Sequence, residues 1–265
     1  MGSLYIGSSL PIGEPSKIEN RLIIVSTTVL ALAAGIALAQ SNPTIGSVSA
    51  SNLKDVKFTW VVENANQREL AKINTDFANS MRFRRSLVEL EEPFKLRMES
   101  TVEDSTVIFI VNGPRKLIRV PRTGLVQRQD VSTAPGKRQT FFDFGLLTPS
   151  LFQNYFTGTF VRTENRGDLT GTLVYDVKYI PSLRDTTRHR IWVDRNKKVM
   201  MKREWYGQDG TLRATFRYGG HTQNGGVWIP ARVTVYNADN VAAGTSRFES
   251  VVANRGIDDA RFSVN

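Results

Sequence analysis

The chain has 265 residues, with 35 lysines and arginines against 25 aspartates and glutamates, and it contains no cysteine. The lack of cysteine excludes disulfides, thiol catalysis and cysteine-ligated metal sites. The net charge of +10 favours anionic partners such as lipid headgroups or cell-surface polymers, although it serves solubility as well. We expect no nucleic-acid partner, because the basic residues are spread along alternating strands without a recognisable nucleic-acid module.

The beginning of the chain has the order of an export signal. Lys17 and Arg21 provide positive charge, an apolar run follows, and Ala37 and Ala39 form a small-residue cleavage site before Gln40. We therefore predict a signal peptide that is cleaved after Ala39. The alternative is a membrane anchor, since the apolar run approaches the length of a spanning helix.

The first half of the mature chain alternates strands with one helix. Residues 40–53 are rich in Ser, Asn and Gly and are predicted to form a flexible leader. Asn66 lies three residues before Glu69, which resembles a capping box and predicts a helix over residues 67–78. The Asn112-Gly113 pair predicts a hairpin. Strands are predicted at residues 56–62, 81–90, 93–101, 105–111 and 115–121.

A short aromatic helix is predicted in the middle of the chain. Thr148 precedes Pro149, a good cap followed by a good first helical residue, and the helix is expected to run to Phe156. Such a segment closes the end of a barrel as a plug or covers a cavity as a lid. The sequence leaves both interpretations open.

Seven further strand candidates follow from residue 158 onward, separated by turn signals, so the total is about eleven antiparallel strands. A sheet of this size curls or closes. The segment TLRATFRYGG alternates with a period of two: Thr, Arg, Thr and Arg on one face, and Leu212, Ala214, Phe216 and Tyr218 on the other. The apolar face packs in an ordinary core or lines a site for an apolar ligand.

The usual signatures of catalysis are missing from the sequence. Its two histidines, His189 and His221, are far apart, and neither a phosphate-binding glycine loop nor a nucleophile elbow is present. The acidic pairs are adjacent residues, which point to opposite faces of a strand. We predict that the protein is not an enzyme and uses no metal or cofactor.

Several short motifs of the chain resemble those of a known protein family. NRGIDDARFSV (254–264) is similar to the family's closing pattern of a glycine, an aspartate and a phenylalanine in a last strand. EEPFKLRMES and VNGPRKLIRVP resemble its early strands and turn, and residues 191–220 and 224–236 resemble its C-terminal meander. On these motifs the chain resembles the outer-membrane lipoprotein carrier family, the LolA-like proteins. The long helix that the family has just after the signal is not evident. A lipid or glycolipid carrier, or a related sensor of envelope lipids, is therefore as open as a lipoprotein carrier.

The resemblance implies a mainly β fold: a strongly curved antiparallel sheet, an unclosed half-barrel, covered by a few short helices. It implies one lipid-binding domain over residues 54–265, after a signal peptide at 1–39, in a monomeric periplasmic carrier that takes acyl chains of lipoproteins or lipids. An inner-membrane donor and an outer-membrane acceptor would be its partners. The expected cavity and lid residues are Leu212, Phe216, Tyr218, Trp205, Met201, Val233, Val235, Leu151, Phe152, Tyr155 and Phe156.

A second hypothesis uses the opposite face of the same sheet. With a filled core, the protein would be a structural or interaction module of the cell envelope that binds an anionic polymer. The residues expected to matter are then Arg213, Arg217, Arg232 and Arg247.

Overall fold

A computed structural model describes residues 42–102 and 104–265, so the predicted signal peptide lies outside the described residues. Within them the structure has three α-helices, α1 (Gln67–Ile73), α2 (Thr75–Ser80) and α3 (Pro149–Asn154), together with several single-turn 3-10 helices. The strands are β1 (Asp55–Ala65), β2 (Arg85–Glu91), β3 (Lys95–Val102), β4 (Ser105–Asn112), β5 (Arg115–Val120), β6 (Leu125–Asp130), β7 (Phe156–Thr163), β8 (Leu173–Tyr179), β9 (Arg188–Asp194), β10 (Val199–Tyr206), β11 (Leu212–Gly219), β12 (Thr222–Asn224), β13 (Val227–Ile229), β14 (Arg232–Asn237) and β15 (Ala242–Ala253).

Thirteen of these strands form one antiparallel sheet in the order β6-β5-β4-β3-β2-β1-β15-β14-β11-β10-β9-β8-β7. The edge strands β6 and β7 do not pair with each other, so the sheet is not closed. The predicted mainly β class is confirmed. The sheet has more strands than the eleven expected, partly because β6 is exposed along nearly its whole length and shows no alternation of buried and exposed residues.

The sheet is strongly curved. Ile118 on β5 and Arg203 on β10 line the same cavities, although eight strand steps separate them in the sheet. With about 4.8 Å between neighbouring strands, a flat sheet would hold these strands nearly 40 Å apart. The inner, concave face therefore surrounds a common space.

Strand β11 has the predicted alternation. Ala214, Phe216 and Tyr218 are buried, whereas Arg213, Thr215 and Arg217 are only partly covered. The strand lies between β10 and β14, and Phe216 pairs with Val235 across the ladder to β14. The apolar face of this segment belongs to the concave side of the sheet.

The helix predicted over residues 67–78 is two helices. Asn74 has an extended backbone, with φ −169° and ψ 163°, and its side chain accepts a hydrogen bond from the Phe77 amide at 2.6 Å. Asparagine favours capping positions because its side-chain oxygen satisfies a free amide of the first turn. The predicted cap at Asn66 is present, with its side chain accepting from the Glu69 amide.

The described part of the predicted flexible leader is packed against the domain, which corrects that prediction. Ile45, Val48 and Leu53 are buried in the main core. The Ala50 amide donates to the Leu147 carbonyl at 2.7 Å, so this segment is also hydrogen-bonded. The apolar residues of this segment are separated by small polar residues at irregular intervals, so the sequence shows no hydrophobic period. Their burial nevertheless holds the segment against the domain.

The closing segment is also different from the expectation, because it forms no last strand. Asp259–Phe262 is a 3-10 helix capped by Asp258. Phe262 is fully buried beside Ile110 and Leu117, which lie on β4 and β5. The phenylalanine therefore covers a small second core instead of extending the sheet.

Candidate functional site

Two adjoining cavities lie on the concave face. We call the first the apolar cavity; its volume is about 380 Å³, and its wall includes Trp60, Met98, Phe109, Val233 and Val235. We call the second the polar cavity; its volume is about 550 Å³, and its wall includes Lys116, Lys137, Arg138, Tyr155 and His189. Both volumes fall within the range of about 300–1,000 Å³ that is usual for small-molecule sites.

The apolar cavity is built by strands that are distant in sequence. Met98 and Phe109 face each other across β3 and β4, Trp60 stands on β1, and Val233 and Val235 stand on β14. Inward side chains recur every second residue along a strand, which explains why Val233 and Val235 act together. Met81, at the end of α2, and Gly244 on β15 also belong to the wall of this cavity.

Outside the wall that it shares with the polar cavity, the polar side chains among the described lining residues of the apolar cavity are three serines. The hydroxyls of Ser86 and Ser100 bond to each other at 2.5 Å across β2 and β3. Ser246 on β15 is fully buried, and its Oγ has no hydrogen-bond partner among the described residues. The cavity is thus suited to an apolar ligand with little need for polar contacts.

The polar cavity carries a concentration of charge. Lys116, Lys137 and Arg138 face Asp76 and Asp143 around its wall. Burial lowers the pKa of Lys116, and the positive charge of Lys137 lowers it further. The Lys116 ammonium lies 4.8 Å from the centre of the Phe109 ring, so an aromatic face partly stabilises this cation.

The aromatic end of the polar cavity is shielded from solvent. His189 is 5% exposed, and burial, followed by the charge of Arg203, holds its pKa well below the usual value. Burial also raises the pKa of Tyr155 and of Tyr179 well above the usual range. The Tyr155 hydroxyl donates to the Pro135 carbonyl at 2.5 Å, which leaves it no proton to give a ligand.

The two cavities share a wall, which we call the junction: Phe77, Ser80, Ile118, Gln139, Asp143, Arg203 and Phe216. Arg203 is 5% exposed, and its Nη1 lies 3.3 Å from Asp143 Oδ1. Its guanidinium carbon lies 4.1 Å from the centre of the Phe216 ring and 5.2 Å from that of Phe142. A buried cation therefore stands between an apolar and a charged compartment.

The rest of the concave face is filled by the connection between the two edge strands. Phe144 packs against Phe58 and Trp60 of β1, with ring centres 5.4 and 5.5 Å apart. In the same connection Leu146 and Leu147 are buried, and Leu151 on α3 is 1% exposed. This connection is part of the core and bounds the two cavities.

The structure brings together six of the eleven residues expected in a cavity or lid. Phe216, Val233 and Val235 line the apolar cavity. Phe216 also lines the polar cavity, together with Trp205, Tyr155 and Phe156. Leu212, Tyr218, Leu151 and Phe152 line neither, and Tyr218 is instead covered by the connection at Gly145.

Met201 lies on the other side of the sheet from the cavities. A register shift between Met200 and Lys202 inserts an extra residue into β10. Met200 is therefore buried in the main core, while Met201 packs with Leu169 and Val174 on the outer face. A bulge reverses the alternation on one side of itself, so counting by twos selects the wrong methionine.

The sequence interpretation missed Arg203, although a signal was present. Arg203 has the same parity along β10 as Trp205, which was expected to face inward, and no bulge separates the two. An arginine in phase with an inward tryptophan indicates a buried cation. Met98 and Phe109, on β3 and β4, were missed because only the curvature of the sheet brings their strands opposite β14.

The four arginines of the second hypothesis are all paired with carboxylates on the outer face. Arg213 contacts Asp209 at 2.7 Å, and Arg217 contacts Asp168 at 2.8 Å. Arg232 and Arg247 both bond to Glu63, and Arg247 also reaches Glu249. Their charges are therefore largely neutralised by neighbours.

No group of three or more His, Asp or Glu side chains in residues 42–102 and 104–265 is placed to hold a metal ion. In the same part of the chain, no helix has the length and apolar character required to cross a membrane.

Comparison with solved structures identifies the fold. A LolA superfamily protein from Nitrosomonas europaea superposes with a TM-score of 0.56 at 14% identity, covering 83% of this chain and 94% of that one. An outer membrane lipoprotein-sorting protein domain from Vibrio parahaemolyticus gives 0.50 at 12% identity, covering 83% and 93%. The chain has the LolA-like fold, which confirms the resemblance that its motifs indicated.

Comparisons of the sequence with known families and curated proteins give less information than the structural comparison. A family model described as an uncharacterized protein matches residues 149–265, less than half of the chain. A search of curated proteins found no match.

Proposed function

We propose that this protein is a non-catalytic carrier that binds acyl chains of lipoproteins or lipids in the apolar cavity. The observation that supports this most directly is a cavity of about 380 Å³ with a mainly apolar wall on the concave face of a LolA-like fold. Trp60, Met98 and Phe109 offer it an apolar surface drawn from three strands. The single lipid-binding domain would be residues 54–265, with residues 42–53 packed onto it.

Burial of methylene groups would supply the affinity. Each buried CH₂ contributes about 0.8 kcal/mol, so several methylenes offset the cost of ordering the chain. Met81 and Met98 in the wall suit chains of different shape, because methionine side chains are flexible and polarisable. Release requires only that the cargo finds an equally apolar environment elsewhere.

The same geometry favours binding over catalysis. A general base needs a pKa near the working pH and a partner that orients it. His189 is held neutral by burial, and its Nδ1 has no hydrogen-bond partner among the described residues. The envelope-polymer hypothesis is less favoured, because Arg213, Arg217 and the other arginines it needs already have carboxylate partners.

The proposal places the protein in the periplasm as a monomer between an inner-membrane donor and an outer-membrane acceptor. The predicted signal peptide at residues 1–39 is its route there. Sequencing the N-terminus of protein from an export-competent host should find Gln40 first. Recovery of the uncleaved chain in the membrane fraction would indicate an anchor instead.

Native mass spectrometry of protein purified from its own envelope tests the function. We expect a co-purifying lipid or lipoprotein that is lost on delipidation and restored by added long-chain amphiphile. Reproducible absence of any lipid, with no binding of long-chain amphiphiles by calorimetry, would overturn the proposal. Salt-sensitive binding of an anionic polymer under those conditions would support the envelope module.

A further inference from the structure

Arg203 has hydrogen-bonding capacity that the protein does not use. Its guanidinium has five N–H donors, and among the described residues its one carboxylate partner is Asp143, at 3.3 Å. Its Nε is buried without a hydrogen-bond partner. Asp143 is shared, since its Oδ2 accepts from the Thr140 amide at 2.9 Å as part of a cap.

A buried charge with unused donors is unfavourable in an empty protein. Desolvation of an arginine is offset only when its donors find acceptors. Phe216 and Phe142 lie within cation–π distance of the guanidinium, but aromatic rings do not accept its N–H groups as carboxylates do. The remaining in-plane donors are left for an acceptor that enters through the cavities.

The surroundings of Arg203 favour a negative ligand. Four basic residues, Lys116, Lys137, Arg138 and Arg203, line the polar cavity with two acidic residues, Asp76 and Asp143, among its described lining residues. Lys116, Lys137 and Arg138 line the polar cavity and are not among the described lining residues of the apolar cavity, so the excess of positive charge belongs to the polar cavity.

We infer that the cargo is an anionic amphiphile, whose acyl chain lies in the apolar cavity and whose carboxylate or phosphate group binds Arg203 at the junction. This inference rests on the proposed acyl-binding function. A planar guanidinium pairs with two oxygens of a carboxylate or phosphate at once, which gives direction as well as affinity. The polar cavity then holds the rest of the head group beside Lys116, Lys137 and Arg138.

Isothermal titration calorimetry with matched twelve-carbon ligands tests the inference without any substitution. Dodecanoate and dodecyl phosphate should bind about 10- to 100-fold more tightly than dodecan-1-ol, as expected for charge-assisted hydrogen bonds. Acetate and inorganic phosphate alone should neither bind nor compete at equal concentration. Competition by free phosphate would identify a phosphate site in place of a head-group site and overturn the inference.

Variants at the junction assign the effect to Arg203. In Arg203→Met the preference for dodecanoate over dodecan-1-ol should disappear, while Arg203→Lys should keep part of it. Arg190→Met is the matched control, because Arg190 is paired with Asp176 on the outer face of the neighbouring strand. That control should keep the full preference.

Asp143→Asn separates recognition from a structural role. The asparagine oxygen can still accept the hydrogen bond from the Thr140 amide, but the negative charge that competes with a ligand for Arg203 is gone. The affinity for dodecanoate should therefore rise, and the affinity for dodecan-1-ol should stay the same. If Arg203 serves only to hold Asp143, this variant changes neither affinity. Equal binding of the charged and neutral ligands by the wild type overturns the inference and leaves the carrier function standing, whereas no binding of either contradicts the carrier function itself.

Discussion

Gly145 lies directly against the ring of Tyr218: a Cβ built at Gly145 would stand 2.6 Å from the Tyr218 Cδ1 atom. Gly145 also has φ +81°, a backbone conformation that residues other than glycine rarely adopt. The connection between the edge strands therefore lies on β11 with no space for another atom. This contact covers Tyr218, and burial raises the pKa of its hydroxyl to about 12.

We predict that Gly145→Ala lowers the free energy of unfolding by about 2–5 kcal/mol, combining a left-handed backbone cost with overpacking. Chemical denaturation measures the change. Gly256→Ala is the control, since Gly256 has φ +80° but open space around its Cβ position. A loss at Gly145 no larger than that at Gly256 would mean that the contact with Tyr218 is not tight.

Filling the apolar cavity should weaken acyl binding without weakening the fold. We predict that Ser246→Leu displaces about three methylenes of ligand, which corresponds to about 2–3 kcal/mol, or roughly 50-fold in affinity. The free energy of unfolding should stay equal or rise, because the variant removes a buried hydroxyl without a partner.

Thr245→Leu is the matched control for this experiment, because the neighbouring residue of β15 points to the outer face. Displacement of a fluorescent fatty acid and thermal unfolding give the two readouts. Unchanged binding by a folded Ser246→Leu variant would show that the ligand does not occupy this cavity.

Local patterns predicted much of the sheet. The alternation of β11 and the Asn112-Gly113 turn were sufficient because a half-buried strand and a tight hairpin each have a short-range signal. Asn74 was read as helix interior, although its capping preference ends one helix and begins the next. Strand β6 was missed, because a strand exposed on both faces has no hydrophobic period.

The site was harder to predict than the fold. Phe216 and Val235 were found because they stand on neighbouring strands with clear alternation. Met201 was misplaced by the bulge before Lys202, which depends on the geometry of the ladder. The opposite wall, with Met98 and Phe109, depends on the curvature of the whole sheet, and no spacing along the chain encodes that directly.

The two histidines should make stability depend on pH between about 5 and 7. Burial holds the pKa of His189 well below 6.5 and that of His221 below it, so the unfolded chain binds more protons near pH 6. Stability then rises with pH through this window and falls as pH drops below about 6.5, by up to about 1.4 kcal/mol per pH unit for His189 and by less for the partly exposed His221.

His189→Leu should remove the larger part of this slope, measured by urea denaturation at several pH values above 5. His221→Asn should remove a smaller part, since His221 is less deeply buried and keeps a bond to the Met200 carbonyl. A wild-type stability that stays constant between pH 7.5 and 5.5 would contradict the burial of His189.

Phe216 separates the two cavities, so its removal should join them. We predict that Phe216→Ala shifts the preference of the carrier toward longer acyl chains and costs about 3–5 kcal/mol of unfolding free energy. Alanine is a better test than aspartate, because a carboxylate at this position would stand beside Arg203 and find a partner.

Arg217→Ala is the control on the opposite face, where an exposed pair with Asp168 contributes about 1 kcal/mol or less. Displacement assays with saturated fatty acids of increasing length measure the preference, and cooperative thermal unfolding establishes that each variant is folded. If Arg217→Ala alters binding as much as Phe216→Ala in a folded protein, the concave face is not where acyl chains bind.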